Sequence, residues 1–138
     1  MEIDLALLAD AATIDATGKI NILGIFDRIS VSQFPAQHGR ISLVLRLTAG
    51  TLEVGTHEME IRLSDPNGAE VLSLNGEMQM VGGPGASAGI RVPHVLNLDG
   101  LVFPGPGRYS FDVKVDGEHH VSISLVVDGP PLVQGAIA

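Results

Sequence analysis

The chain contains no cysteine, which excludes disulfides, thiolate metal sites and cysteine nucleophiles and suits a reducing compartment. It has no tryptophan and a single tyrosine, Tyr109, with aromatics at 4% of residues. A core made under that restriction is filled by the branched side chains of Val, Leu and Ile. Positive charge is scarce too: 8 Lys and Arg stand against 16 Asp and Glu, a net charge of −8. The basic residues are scattered and form no stripe, and the negative field repels phosphate backbones and anionic lipid. Neither nucleic acid nor a membrane is an expected partner. Long hydrophobic runs are missing as well, and nothing approaches the ~18 apolar residues of a bilayer-spanning helix. The opening MEIDLALLADAA has the small-residue end of a secretory leader. However, Glu2 and Asp4 stand where positive charge belongs, and its apolar stretch runs only from Leu5 to Ala9. A cytoplasmic protein is expected.

What is present is an apolar fraction of 45%, with 17 glycines and 8 prolines among 138 residues. That composition describes one globular, turn-rich domain. We place it at residues 1–128, followed by a Pro-rich, uncharged tail, GPPLVQGAIA, at 129–138. Side chains alternate with a period of two from end to end. In ISLVLRLTA, Ile41, Leu43, Leu45 and Leu47 share one face. In THEMEIRLSD, His57, Met59, Ile61 and Leu63 oppose Thr56, Glu58, Glu60 and Arg62. DPNG at 65–68 is a turn, and AEVLSLNGEMQMVG is either one long strand bulged at Gly76 or a hairpin turning at Asn75-Gly76. Asp116-Gly117 is the turn of the clearest hairpin, RYSFDVKVDGEHHVSISLVV. No window holds a 3.6-residue period over three turns. The pattern predicts an all-β fold, an antiparallel β-sandwich of about eight strands of immunoglobulin-like or Greek-key type, with a closed barrel as the alternative.

Two segments carry more apolar surface than one buried face needs. In IDLALLADAA, Ile3, Leu5, Leu7, Ala9 and Ala11 take one side, which leaves Leu8 among Asp4, Ala6 and Asp10 on the other. In GKINILGIFDRIS, a regular strand sets Ile25, Asp27 and Ile29 against Phe26 and Arg28, so the adjacent charges cannot pair. Either Asp27 is a buried carboxylate that needs a partner, or Gly24 is a bulge that resets the alternation. A cover over the second face is expected, from the tail, a crossing loop or a second copy of the chain, and the second copy is favoured.

LLADAATID…GKINILGIFDRI resembles the opening of a family of small uncharacterised bacterial proteins, a domain of unknown function. GTHEMEIRLSDPNG and LDGLVFPGPGRYSFDVKVDGEHHVSISLVV are similar to it as well, so the resemblance spans nearly the whole chain. It implies a fold and offers no catalytic residues.

Chemistry-bearing residues are sparse. His119 and His120 are adjacent in a strand, face opposite ways and lack a completing ligand set. Asp10, Asp15 and Asp27 do not follow a calcium-loop spacing, and DATGK is good turn chemistry. GGPGAS and FPGPG lack the lysine and the following helix of a phosphate loop. No catalytic residue, metal ligand or cofactor site is expected, and the chain reads as a non-enzyme. The first functional reading is an interaction module that forms a homo-oligomer or binds another protein. Its contacts would be Leu8, Phe26 and Arg28, with Leu132, Val133 and Ile137 as a tail anchor. The second is a small-ligand binder or enzyme with a site in the end loops near GGPGAS, FPGPG or DATGK.

Overall fold

Alternating side chains build nine strands in the computed structural model, which describes residues 1–82 and 89–130. They are β1 (Glu2–Ile14), β2 (Ile20–Phe26), β3 (Arg28–Ser30), β4 (Ala36–Ala49) and β5 (Gly55–Ser64), then β6 (Glu70–Met80), β7 (Ile90–Phe103), β8 (Gly107–Val115) and β9 (Glu118–Asp128). One 3₁₀ turn at Thr51–Glu53 is the sole helical piece among the described residues. No helix there is long and apolar enough to cross a membrane. The strands form two sheets, a four-stranded one in the order β2-β1-β4-β7 and a five-stranded one in the order β3-β9-β8-β5-β6. All pairs are antiparallel except β3 with β9. Each sheet keeps two edges, so the fold is an all-β sandwich and the barrel alternative is set aside.

The core lies between the sheets. Ile41, Leu43, Leu45 and Leu47 of β4 face Ile61 and Leu63 of β5, Phe111 and Val113 of β8, and Leu125 and Val127 of β9. Tyr109 meets Phe103 edge to face, with ring centroids 5.0 Å apart. Asp116 (φ 51) and Gly117 (φ 81) make the expected hairpin turn. At the DPNG turn, Asp65 Oδ1 accepts the backbone N–H groups of Asn67 and Ala69, both at 2.8 Å. The segment around Asn75-Gly76 is one strand. Gly76 stands opposite Met59 in unbroken register, so it is neither a bulge nor a turn.

Three expectations for the first thirty residues need correction. Leu8 does not face outward; it is 1% exposed and pairs with Leu43 in the core. The cause is a register shift between Ile3 and Leu5, which lets Ile3, Ala6 and Leu8 share the inner face and turns Leu5, Leu7 and Ala9 outward. Gly24 does not reset anything, because β1 and β2 keep one register from Leu8↔Phe26 to Ile14↔Ile20. Nor is Asp27 buried. It is exposed between β2 and β3, where the chain leaves one sheet and joins the other. The crossing itself resets the faces, so Phe26 and Ile29 both pack on the core while the charges between them stay in water. The tail anchor of Leu132, Val133 and Ile137, and GGPGAS beyond Gly82, lie outside the described residues.

Candidate functional site

The two outer faces of the sandwich differ in chemistry. On the five-stranded sheet the outward positions are Glu58, Glu60 and Arg62 of β5, Ser73, Asn75 and Glu77 of β6, and Ser110, Asp112 and Lys114 of β8. That face is made for water. On the four-stranded sheet, cross-strand rows run Leu7–Val44–Val95 and Ile25–Ala9–Ser42–Asn97, with Leu23 beside Ala11 and Leu5 near Pro93. Leu23 is 72% and Ile25 65% exposed. The inner part of this patch is already tight, since Ala9, Ser42 and Val44 are fully covered by their neighbours and Ser42 donates to Asn97 Oδ1 at 2.7 Å.

The charges on that apolar face cancel. Arg46 grips Asp4 with two bonds of 2.9 and 3.1 Å, and Arg40 grips Asp99 with 2.6 and 3.0 Å. The guanidinium of Arg46 holds the Asp4 carboxyl below its ordinary pKa, and Arg40 does the same to Asp99. Glu2 and Arg91 complete the set, flanking Thr48. Because these pairs are solvent-exposed they add little stability. Their effect is to make a neutral surface on a chain of net charge −8.

The sequence-derived contact residues do not gather into this patch. Leu8 and Phe26 pair with each other beneath it, and the Phe26 ring lies 6.0 Å from that of His38. Arg28 is on the far edge of the other sheet, where it pairs with Asp128 of β9. On this face the large apolar side chains most open to solvent are instead Leu23 and Ile25. Both belong to the segment singled out for excess apolarity.

One cluster on the polar face was not legible in the sequence: Asp112, His119 and Ser122. The turn at Asp116-Gly117 on its own would set Asp112 opposite Val121. A shift between Val113 and Lys114 sets it opposite Ser122 instead. Ser122 Oγ donates to Asp112 Oδ1 at 2.5 Å and lies 2.8 Å from His119 Nε2. The serine's one proton points at the carboxylate, so Nε2 must donate to Oγ. A nitrogen that already carries a proton cannot remove another from the hydroxyl. In a nucleophilic triad the carboxylate holds the opposite ring nitrogen. Here Asp112 Oδ1 is 3.8 Å from the same Nε2, which is the wrong side.

A second polar cluster pins the β8–β9 turn to β5. His57 Nδ1 lies 2.6 Å from Asp116 Oδ2 and Nε2 lies 2.6 Å from the Glu53 carbonyl oxygen, while Glu58 N–H donates to Asp116 Oδ1 at 2.9 Å. Both partners of the ring are acceptors, so the geometry calls for an imidazolium. The Asp116 carboxylate, then the Glu53 carbonyl, raise the His57 pKa, and His57 in turn lowers that of Asp116. A raised histidine stabilises fully below its unfolded pKa and stops doing so as pH climbs through the folded value. A lowered aspartate stabilises above its unfolded pKa and stops as pH falls through the folded one. The pair is therefore at full strength between roughly pH 4 and 6.5. We predict that His57→Gln lowers the melting temperature most near the middle of that window. The gap from wild type should narrow toward pH 8, and a pH-independent gap would contradict the assignment.

The end loops offer less. At DATGK, Asp15 Oδ1 accepts Thr17 N–H at 2.8 Å, Thr17 Oγ1–H at 2.6 Å and Lys19 N–H at 3.0 Å, which closes the turn. At FPGPG a cleft of about 280 Å³ lies between Pro66, Pro104 and Pro106, but the Tyr109 hydroxyl beneath it already donates to the Gly105 carbonyl at 2.7 Å. Among the described residues, no three His, Asp or Glu side chains gather as a metal-binding set. Asp10 rests against Gly24, where an added Cβ would come within 2.4 Å of its carboxylate.

Comparison with known proteins gives a family and a distant structural likeness. Among curated proteins there is no match. A solved structure of Pseudomonas fluorescens alkylpurine DNA glycosylase AlkC, bound to DNA containing an abasic site analog, is similar with a TM-score of 0.48 at 11% identity. The likeness covers 92% of this chain and 30% of that one, so the chain spans under a third of that protein's length. A model described as a family of unknown function, DUF6941, matches residues 4–128.

Proposed function

Since the chain belongs to DUF6941, a family of unknown function, we propose a role argued from its surface alone: a non-catalytic assembly module that pairs with a second copy of itself. The face involved is the outer side of the four-stranded sheet. The observation that carries this reading is an apolar patch with internally cancelled charge on a strongly negative molecule. Two copies at −8 each repel, and the cheapest place for them to meet is where neither presents net charge. Three strands of 13–14 residues and one of 7, set ~4.8 Å apart, give this face a plan area of about 800 Å², on the scale of one partner's share of a standard interface. A two-fold axis through the β1–β4 region would set Leu23 and Ile25 of each copy against the Pro93–Val95 side of the other.

The test is the solution mass of the wild type and of Ile25→Glu at micromolar concentration, by light scattering or sedimentation. The wild type is expected at twice the chain mass and Ile25→Glu at the chain mass. The fold of the single chain should be little affected, because Ile25 is 65% exposed within it; at concentrations where the wild type is paired, melting falls only by what pairing adds through mass action. A wild type that runs as a strict monomer overturns the reading.

A further inference from the structure

The two sheets part on the side opposite the Asp27 crossing, between the edge strands β6 and β7. Along β6 the inward positions read Leu72, Leu74, Gly76, Met78 and Met80, a glycine in a row of large apolar side chains. Glycine is not needed there for the backbone, because its φ is not positive and the ladder with β5 is regular. Nor is it needed for close approach, since an added Cβ would meet nothing within 4 Å. A glycine inside a strand weakens it and often marks a place where something else must fit. Its missing side chain leaves room in a cleft of about 180 Å³, open to solvent at the sheet edge and walled by Met59, Ile61, Leu74, Met78, Leu96 and His94.

His94 sits on the inward side of β7, opposite Leu45. Its imidazole has no hydrogen-bond partner among the described residues, and burial alone pushes its pKa down. The ring is therefore neutral near pH 7 and offers one donor and one acceptor to whatever enters. Glu77, next to Gly76 on the edge strand, turns its side chain to the outer face and leaves no charged group between the two sheets here.

We propose that this cleft is a binding site for a small uncharged ring compound bearing one hydroxyl or N–H group, of the phenol or indole class. The ring fills the Gly76 space and its polar group bonds His94. The size agrees, because an apolar cavity of roughly 150 Å³ takes up benzene. The chemistry agrees as well: thioether and aliphatic walls for the ring, and a half-buried imidazole, bonded to no other side chain, for the polar atom. This site is separate from the proposed self-association face and does not depend on it.

The experiment is titration of the full chain with phenol, indole and benzene, followed by backbone amide shifts in a ¹⁵N-labelled sample. Wild type should show saturable shifts around Gly76 and His94, at roughly millimolar affinity or tighter. Gly76→Leu, which fills the space, should melt higher and lose them. If that variant does not fold, Gly76→Ala, whose Cβ meets nothing, should weaken binding in proportion to the volume it takes. His94→Leu should bind phenol about fivefold to tenfold more weakly, the worth of one hydrogen bond, and keep benzene. The proposal is overturned if the wild type does not saturate with any of the three compounds. It is overturned equally if the filled variant binds as wild type does, or if His94→Leu keeps full phenol affinity.

Discussion

Tyr109→Ala is expected to remove about 3–5 kcal/mol of stability, a large share of the 5–15 kcal/mol that holds a domain of this kind together. Tyr109 is fully buried and is the chain's sole tyrosine, and its ring packs edge to face on Phe103 at 5.0 Å. The neighbouring rings of Phe103 and Phe111 are themselves fully buried in a close-packed core, so they fill little of the gap and the cavity term adds to the loss. The hydroxyl contributes separately, by donating to the Gly105 carbonyl at 2.7 Å and accepting the Gly105 N–H at 3.3 Å. Tyr109→Phe keeps the ring and should cost about 1 kcal/mol, the net worth of a hydrogen bond. Urea unfolding followed by far-ultraviolet circular dichroism measures both, which matters because the near-ultraviolet signal would vanish with the tyrosine. Equal losses in the two variants would show that the ring's packing is not what matters.

Leu8→Ala is the second large effect, expected at about 2–5 kcal/mol with no change in solution mass. Leu8 is 1% exposed and pairs with Leu43 on one side and Phe26 on the other. It is thus the opposite of Ile25→Glu, which should change the mass and leave the packing within one chain intact, lowering melting only by what pairing adds. Measured together, the two variants separate core from surface within one hairpin. A Leu8→Ala protein that melts like the wild type but changes mass would restore the sequence-based view of Leu8 as a contact residue.

That view failed for a specific reason. Unbroken alternation in IDLALLADAA puts Leu8 on the outer side, whereas the shift at Asp4 moves it to the inner face. A one-residue slip leaves the local pattern plausible either way, because both faces of β1 are apolar there. Asp27 misled in a similar manner. Within a regular strand its position is buried, but a strand that changes sheets obeys the alternation of two different sheets, one on each side of the crossing. By contrast, the Asp116-Gly117 and DPNG turns were legible, since positive φ at Asp116, Gly117 and Gly68 and side-chain bonds from Asp65 are local requirements. The Asp112–Ser122 contact was not, because it depends on one extra residue in β9 that no local rule reveals.

From the amino-acid order alone came the two-layer β architecture, most of the turns, the aliphatic core and the surplus of apolar surface in the first thirty residues. All of these follow from side-chain period and backbone preference, which act over a few neighbouring residues. Only the folded arrangement decided which side of β1 carries the surplus, that two arginines pair with two carboxylates on that side, and that Gly76 and His94 border one space. Those facts join strands distant along the chain, and the pairing that brings them together is set by packing over the whole sandwich.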